Sequence, residues 1–197
     1  AASDVYKRQV PRPGIETYHS LFAIPSAIWA WADQNGRNQR PDLTGLTFDP
    51  ALPGDPIPAT AATVDFPAYG PKHRWDYDEA GGHWLSTVDD VQSTDYLTGE
   101  PLAFDNVLIM GVEYYEADFI EDEPNQLFSL GLKMTGEGPA VLLRDGQRFE
   151  GLWQRNAGDD MIRLVDRDGH PIPFRPGTIW FSVYSTNFEP STITFEP

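Results

Sequence analysis

Asp145-Gly146 lies between AVLLR and QRFEGLWQR, two runs rich in strand-forming residues. This dipeptide constrains the fold more than any other feature. A two-residue type I′ hairpin needs positive φ at both central positions, and Asp-Gly supplies it. The segment is therefore predicted to be two antiparallel strands about one tight turn. IRLVDRDGHPIPF repeats the device at Asp168-Gly169. There Arg167 and His170 would form the first hydrogen-bonded pair, which puts Pro171 and Pro173 at non-bonded positions. Their missing N–H groups would point away from the partner, so 170–174 is predicted to be an edge strand.

From Ala62 onward the apolar period is two. ATVDFPAY reads as a strand, and HRWDYDEAGGHWLST as a hairpin with DEAGG as a longer turn. NVLIMGVEYY reads as a buried strand, QLFSLGLKM alternates, and TIWFSVYS and STITFEP finish the sheet. Eighteen Pro and seventeen Gly fit short strands with many turns. One helix is predicted, about 26–35, in PSAIWAWADQNG: Ser26 is the N-cap after Pro25, and Gly36 is the C′ residue. Arg37 to Thr60 has no periodicity and reads as a linker or a surface-wrapping loop. The fold class is α+β, mainly β. It is a twisted antiparallel sheet or barrel-like C-terminal domain with the two Asp-Gly hairpins, preceded by one helix.

The opening AASDVYKRQ has no initiator Met and no pattern. It corresponds to GCA GCG TCA GAT GTG TAT AAG AGA CAG, which resembles a sequencing adapter read in frame. Residues 1–9 are accordingly read as an artefact of fragmented, metagenomic-type DNA and set aside from fold reasoning. Ala1 to Gln9 are expected to make no ordered contacts. Residues 10–60 are read as the remnant of an N-terminal domain plus linker, and 61–197 as the β-rich domain. Phe22, Ile24, Ile28, Trp29 and Trp31 make the remnant apolar. Some of these side chains are expected to pack on the β domain, and others to be left uncovered.

The formal net charge is −16, which argues against nucleic acid or an anionic membrane surface as partner. The densest acidic run, EADFIEDEPN, reads as a solvated loop and lacks the ligand order of a calcium loop. There is no Cys, hence no disulfide framework and no thiolate chemistry. His73 and His83 flank the aromatic hairpin and could approach each other, but no third ligand is placed, so no metal and no cofactor are implied. No nucleophile elbow or phosphate-cradling loop is present. Trp75 and Tyr77 share a face, with Trp84 on the other in the simplest register. They read as core or as a stacking platform beside Asp76 or Asp95. Trp153 and Arg155 share a face on the later strand.

Several spaced motifs carry a resemblance. Asp95 and Thr98-Gly99 precede Asn106-Val107; an Asp-Gly hairpin leads into Gly151-Leu152-Trp153 and Arg155; Pro176-Gly177 and Trp180 open a late strand. With RWDYDEAGGHW, these resemble the C-terminal domain of the YerB-like bacterial lipoproteins, from Thr63 to about Thr194. YHSLFAIPSAIWAWADQNG is similar to the tail of that family's N-terminal domain, with Tyr18-His19-Ser20 where Pro-His-Asn is usual. HWLS lacks an Arg that the family often has there. The resemblance implies an extracytoplasmic, membrane-anchored lipoprotein of unknown function and supplies no catalytic residue. The resulting reading is a non-enzymatic protein that binds an unknown protein or cell-envelope component, meeting the membrane only through a lipid anchor. The alternative is an envelope-acting hydrolase with its active site mostly in an absent N-terminal domain. Candidate binding residues are His19, Trp75, Asp76, Asp95, Asn106, Trp153 and Arg155.

Overall fold

The computed structural model describes residues 7–9, 14, 21–40, 42–66, 70–188 and 191–197. The chain divides into two units, 1–42 and 43–197.

In the first unit β1 (Lys7–Gln9) pairs antiparallel with β2 (Leu21–Ala23), with Arg8 opposite Phe22. Lys7–Gln9 therefore do make ordered contacts, contrary to the expectation for that stretch, while the first six residues lie outside the described ones. Backbone N–H and C=O groups pair regardless of side chain, so even a segment without an apolar pattern can zip onto a free strand. Helix α1 (Pro25–Gln34) follows. Its N-cap is Ile24 rather than Ser26, and no side chain caps it. Pro25 takes the first helical position, where its fixed φ suits the helix and its missing N–H is no loss. Gly36 is the C′ residue as expected, at φ 62, with Arg37 N–H bonded to Ala32 O and Gly36 N–H to Asp33 O. The helix buries none of its residues; Trp29 is 61% exposed.

The second unit holds β3 (Ile57–Pro58), β4 (Ala61–Asp65), β5 (Lys72–Asp78), β6 (His83–Val88), β7 (Val91–Gln92), β8 (Ala103–Phe104) and β9 (Asn106–Val112). It continues with β10 (Tyr114–Asp122), β11 (Leu127–Leu132), β12 (Gly136–Arg144), β13 (Gln147–Arg155), β14 (Arg163–Val165), β15 (Ile179–Ser185) and β16 (Thr192–Glu196). One sheet has the order β14-β13-β12-β9-β15, with β3 also on β13. The other has the order β16-β4-β5-β6-β7, with β8 also on β6. Neither closes into a barrel. The protein is mainly β, as expected, but the strands form two sheets rather than one, and β15 runs parallel to β9. No helix among the described residues is long and apolar enough to cross a membrane, which says nothing of a β-barrel.

β9 explains the layering. All seven of its residues are buried, so both of its faces are covered. Val107 and Ile109 pack with Leu143 against Ala62, Val64, Trp75 and Trp84 of the second sheet. Leu108 and Met110 face the other way, into a cluster with Leu142, Phe149, Trp153, Ile172 and Phe174. Leu46 packs on this second cluster, and Asp49 N–H bonds Phe174 O. Residues 43–60 thus wrap the sheet, the second of the two readings open for that stretch.

The first Asp-Gly hairpin is as expected: Arg144 pairs with Gln147, and Asp145 and Gly146 have φ of 53 and 68. The second differs. Asp166 N–H bonds His170 O and Val165 bridges Pro171, so the loop has three residues and only Gly169 is at positive φ. The Asp166 side chain accepts the N–H groups of Asp168 and His170, which holds the wider turn. Residues 170–174 form bridges rather than a strand, and Phe174 alone meets a further segment, at Phe48. The missing Pro N–H groups allow no more.

Two other expectations are corrected. Tyr77 lies directly opposite Trp84, so both point to one face, with Trp75; the turn has four residues, which sets that register. Residues 116–122 of the acidic run are strand, in β10, and only 123–125 lie in the exposed turn; β10 pairs with β11 in a two-stranded arm belonging to neither sheet. The apolar residues between its acids suit an extended chain. The long apolar run NVLIMGVEYY accordingly spans two strands, parted at Glu113.

Candidate functional site

The candidate residues fall in separate places. His19 lies outside the described residues. Trp75 is fully buried between the sheets, where no ligand can stack on it. Asp76 is ion-paired with Arg74 at 2.6 Å, and Arg74 reaches across β4 to Glu196 at 2.5 Å. Asp95 folds a turn: its carboxylate takes the N–H groups of Leu97 and Thr98, which hold its pKa below the ordinary value. That turn presents Tyr96 and Leu97 almost wholly to solvent. Trp153 is buried and donates its indole N–H to Gly111 O at 2.7 Å. Arg155 shares its face and donates to the carbonyls of Gly158, Asp160 and Met134. His73 and His83 sit at opposite ends of the β5–β6 hairpin, opposite Val88 and Asp78.

Asn106 belongs to a polar cluster that sequence reasoning missed. Its buried amide clamps the chain at Arg175 and Thr178, accepting Arg175 N–H and donating to both carbonyls. Next to it, Asp105 accepts the N–H and hydroxyl of Thr178 and lies 3.3 Å from His83 Nδ1. Arg175 stands 3.3 Å from Asp145, which pairs in turn with Arg144 at 2.7 Å. The Arg144 guanidinium is fully buried and also donates to the carbonyls of Asp49, Pro50 and Pro173. Of the motifs that carried the resemblance, Asp95 lies in its own turn, and Trp153 and Arg155 sit at the far end of β13 from the Asp145-Gly146 turn. Asn106, that turn and the segment at Pro176-Gly177 meet at one end of the first sheet. Their spacing gave no signal of it, because the strands bringing them together are far apart in sequence.

A groove of about 640 Å³ lies beside β13. One wall is the chain at Pro53–Ile57, the other the Asp166–Pro173 turn, and Phe149 and Glu150 lie between. In the turn, Asp166, Asp168 and His170 each bring a ligand-type atom within 4.8 Å of the others. Asp166 is largely taken up by its own loop, whose N–H groups, His170's foremost, keep its carboxyl below the ordinary range.

Comparison with known proteins agrees with this architecture. The chain is 25% identical over 184 residues to the protein named "Putative lipoprotein YerB" of Bacillus subtilis (strain 168), covering 90% of this chain and 50% of that one. The crystal structure of YerB from Bacillus subtilis superposes with a TM-score of 0.70 at 19% identity, over 98% of this chain and 62% of that one. The chain therefore spans about half the length of the curated relative it matches. Residues 62–181 match the model of the C-terminal domain of DUF3048, a protein family of unknown function, and the chain belongs to that family.

Proposed function

We propose that this chain is the β-rich domain of an extracytoplasmic, lipid-anchored envelope protein that works by binding a protein partner, with residues 10–60 the remnant of a preceding domain plus linker. The location follows the name of the Bacillus relative. The binding role is carried by the β10–β11 arm. Tyr115, Phe119, Leu127 and Phe128 are each about half exposed there, in a ribbon paired with no other strand among the described residues. Successive strand side chains point to opposite faces, so Leu127 and Phe128 expose apolar surface on both sides of the ribbon, and exposed apolar surface gathered on one arm of a polar protein marks an interaction surface. The preformed Tyr96-Leu97 tip adds a second anchor of the same character.

The test is photo-cross-linking in cells that make the full-length parent protein. A photoreactive residue at Phe119 should give a discrete adduct, and the same residue at exposed Arg163 should give none. Equal yields at both positions, or none at either, overturn the reading. Release of wall fragments that depends on the parent protein would favour the hydrolase instead.

A further inference from the structure

The groove is a break in a sheet edge, and the register shows why it exists. β13 gives one edge to β12 along its whole length. On its other edge β3 takes Gln147 and Arg148, and β14 takes Leu152, Trp153 and Gln154. Among the described residues, Phe149, Glu150 and Gly151 are left without a ladder partner on that side. Backbone groups of successive residues point to opposite edges. Gln147 closes the hairpin against Arg144, so Arg148, Glu150 and Leu152 turn their N–H and C=O outward. Glu150 alone of these three faces the groove with both groups unpaired by any strand. Continuing the β3 register would bring Asp55 opposite it, but Asp55 is at φ 56 and turns the chain away. Continuing the β14 register would bring Arg167, but the chain reverses there through the three-residue loop.

The lining has a definite charge. Asp55, Glu150, Asp166 and Asp168 face Arg167 and His170. Glu150 is only loosely paired, at 3.5 Å to Arg148 and 3.7 Å to Arg167. Asp55 and Asp168 have no cationic side chain paired to them among the described residues. The four carboxylates outnumber Arg167 and His170, the protein around them is strongly acidic, and a cleft with such an excess of one sign concentrates the opposite one. Between the carboxylates, Ile57, Pro171 and Ile172 give apolar contact.

We propose that this groove binds a short extended peptide segment, through one backbone pair at Glu150, with a lysine or arginine side chain of the segment against Glu150 and Asp168. A donor and an acceptor on one strand residue are what an added strand recognises, while flanking pockets select its side chains. A simple amine would satisfy the carboxylates but leave the Glu150 backbone unused. This site is independent of the β10–β11 arm.

The probe is the blocked pentapeptide Val-Thr-Lys-Thr-Val, titrated into the isotope-labelled chain and followed by amide NMR and hydrogen exchange. In the free protein the Glu150 amide should exchange faster than those of Phe149 and Gly151, and peptide should slow it. Shifts should centre on Glu150, Ile57 and Asp168. Replacing the central lysine by norleucine should weaken binding about tenfold. Asp168→Asn and Glu150→Gln, both at exposed carboxylates, should each weaken it about fivefold. Equal binding of the norleucine peptide, shifts elsewhere, an unchanged Glu150 exchange rate, or no binding at millimolar peptide overturns the proposal. Equally tight binding of free lysine amide does so too, by removing the backbone part.

Discussion

Arg144 ties two separate segments of the β unit to its hairpin. Its guanidinium joins the turn residue Asp145 to the wrapping segment at Asp49 and Pro50 and to the bridge at Pro173. Arg144→Met would leave three carbonyls without their donor and Asp145 with Arg175 alone. It should lower stability by about 3–5 kcal/mol, read from urea denaturation. Gly146 is required twice, by its φ of 68 and because a Cβ would sit 2.9 Å from the Tyr77 ring. Gly146→Val should cost more than about 2 kcal/mol, while Gly146→Asn costs less. The turn was legible in the sequence because Asp-Gly has local chemistry. Arg144 was not, since an Arg before an Asp-Gly turn is indistinguishable from a surface charge until residues 94 and 95 positions away arrive beside it. His73 gives the pH dependence. Burial among Phe66, Trp75 and Trp180 lowers its pKa from the ordinary 6.5. Its contribution is full above the unfolded pKa and declines as pH falls toward the folded one, because the unfolded chain takes up the proton first. Between about pH 7.5 and about pH 5.5 the urea midpoint should therefore fall, and His73→Phe should fall less.

Two hairpins with one dipeptide show what an element can and cannot reveal. Asp145-Gly146 closes a two-residue loop, whereas Asp168-Gly169 lies in a three-residue one. The difference comes from Asp166, whose side chain captures two N–H groups and widens the turn. The dipeptide was legible; the competitor two residues upstream decided the geometry. The acidic strand β10 was misread for a related reason. Its charges suggested a loop, yet Tyr115, Phe119 and Ile120 recur between them and need a partner strand. That arm makes no ladder with either sheet. Replacing residues 117–129 by Asn-Gly, so that Glu116 still faces Leu130, should move the thermal midpoint by no more than about 3 °C, and should raise solubility. A larger fall, seen by calorimetry, would show that the arm supports the core.

At the scale of the whole molecule, residues 43–197 hold both apolar clusters and both six-stranded sheets. A chain of residues 43–197 should therefore unfold in one cooperative step, with tryptophan fluorescence and far-ultraviolet circular dichroism giving the same midpoint. The fold class and most strands were legible, because alternation and turn residues are local. The pairing of the sheets was not, because it depends on strands that meet late. β15, parallel to β9, and β16, against β4, both come from the last residues of the chain. This order bears on how the protein is made. While a ribosome extends the chain, the β9 edge from Asn106 to Val112 has no β15 to cover it. At ~5–20 residues per second that interval lasts on the order of ten seconds. A half-made chain therefore carries a bare apolar edge that any neighbouring nascent chain can pair with, and a chain that folds only after release, with its last strands already present, never passes through that state.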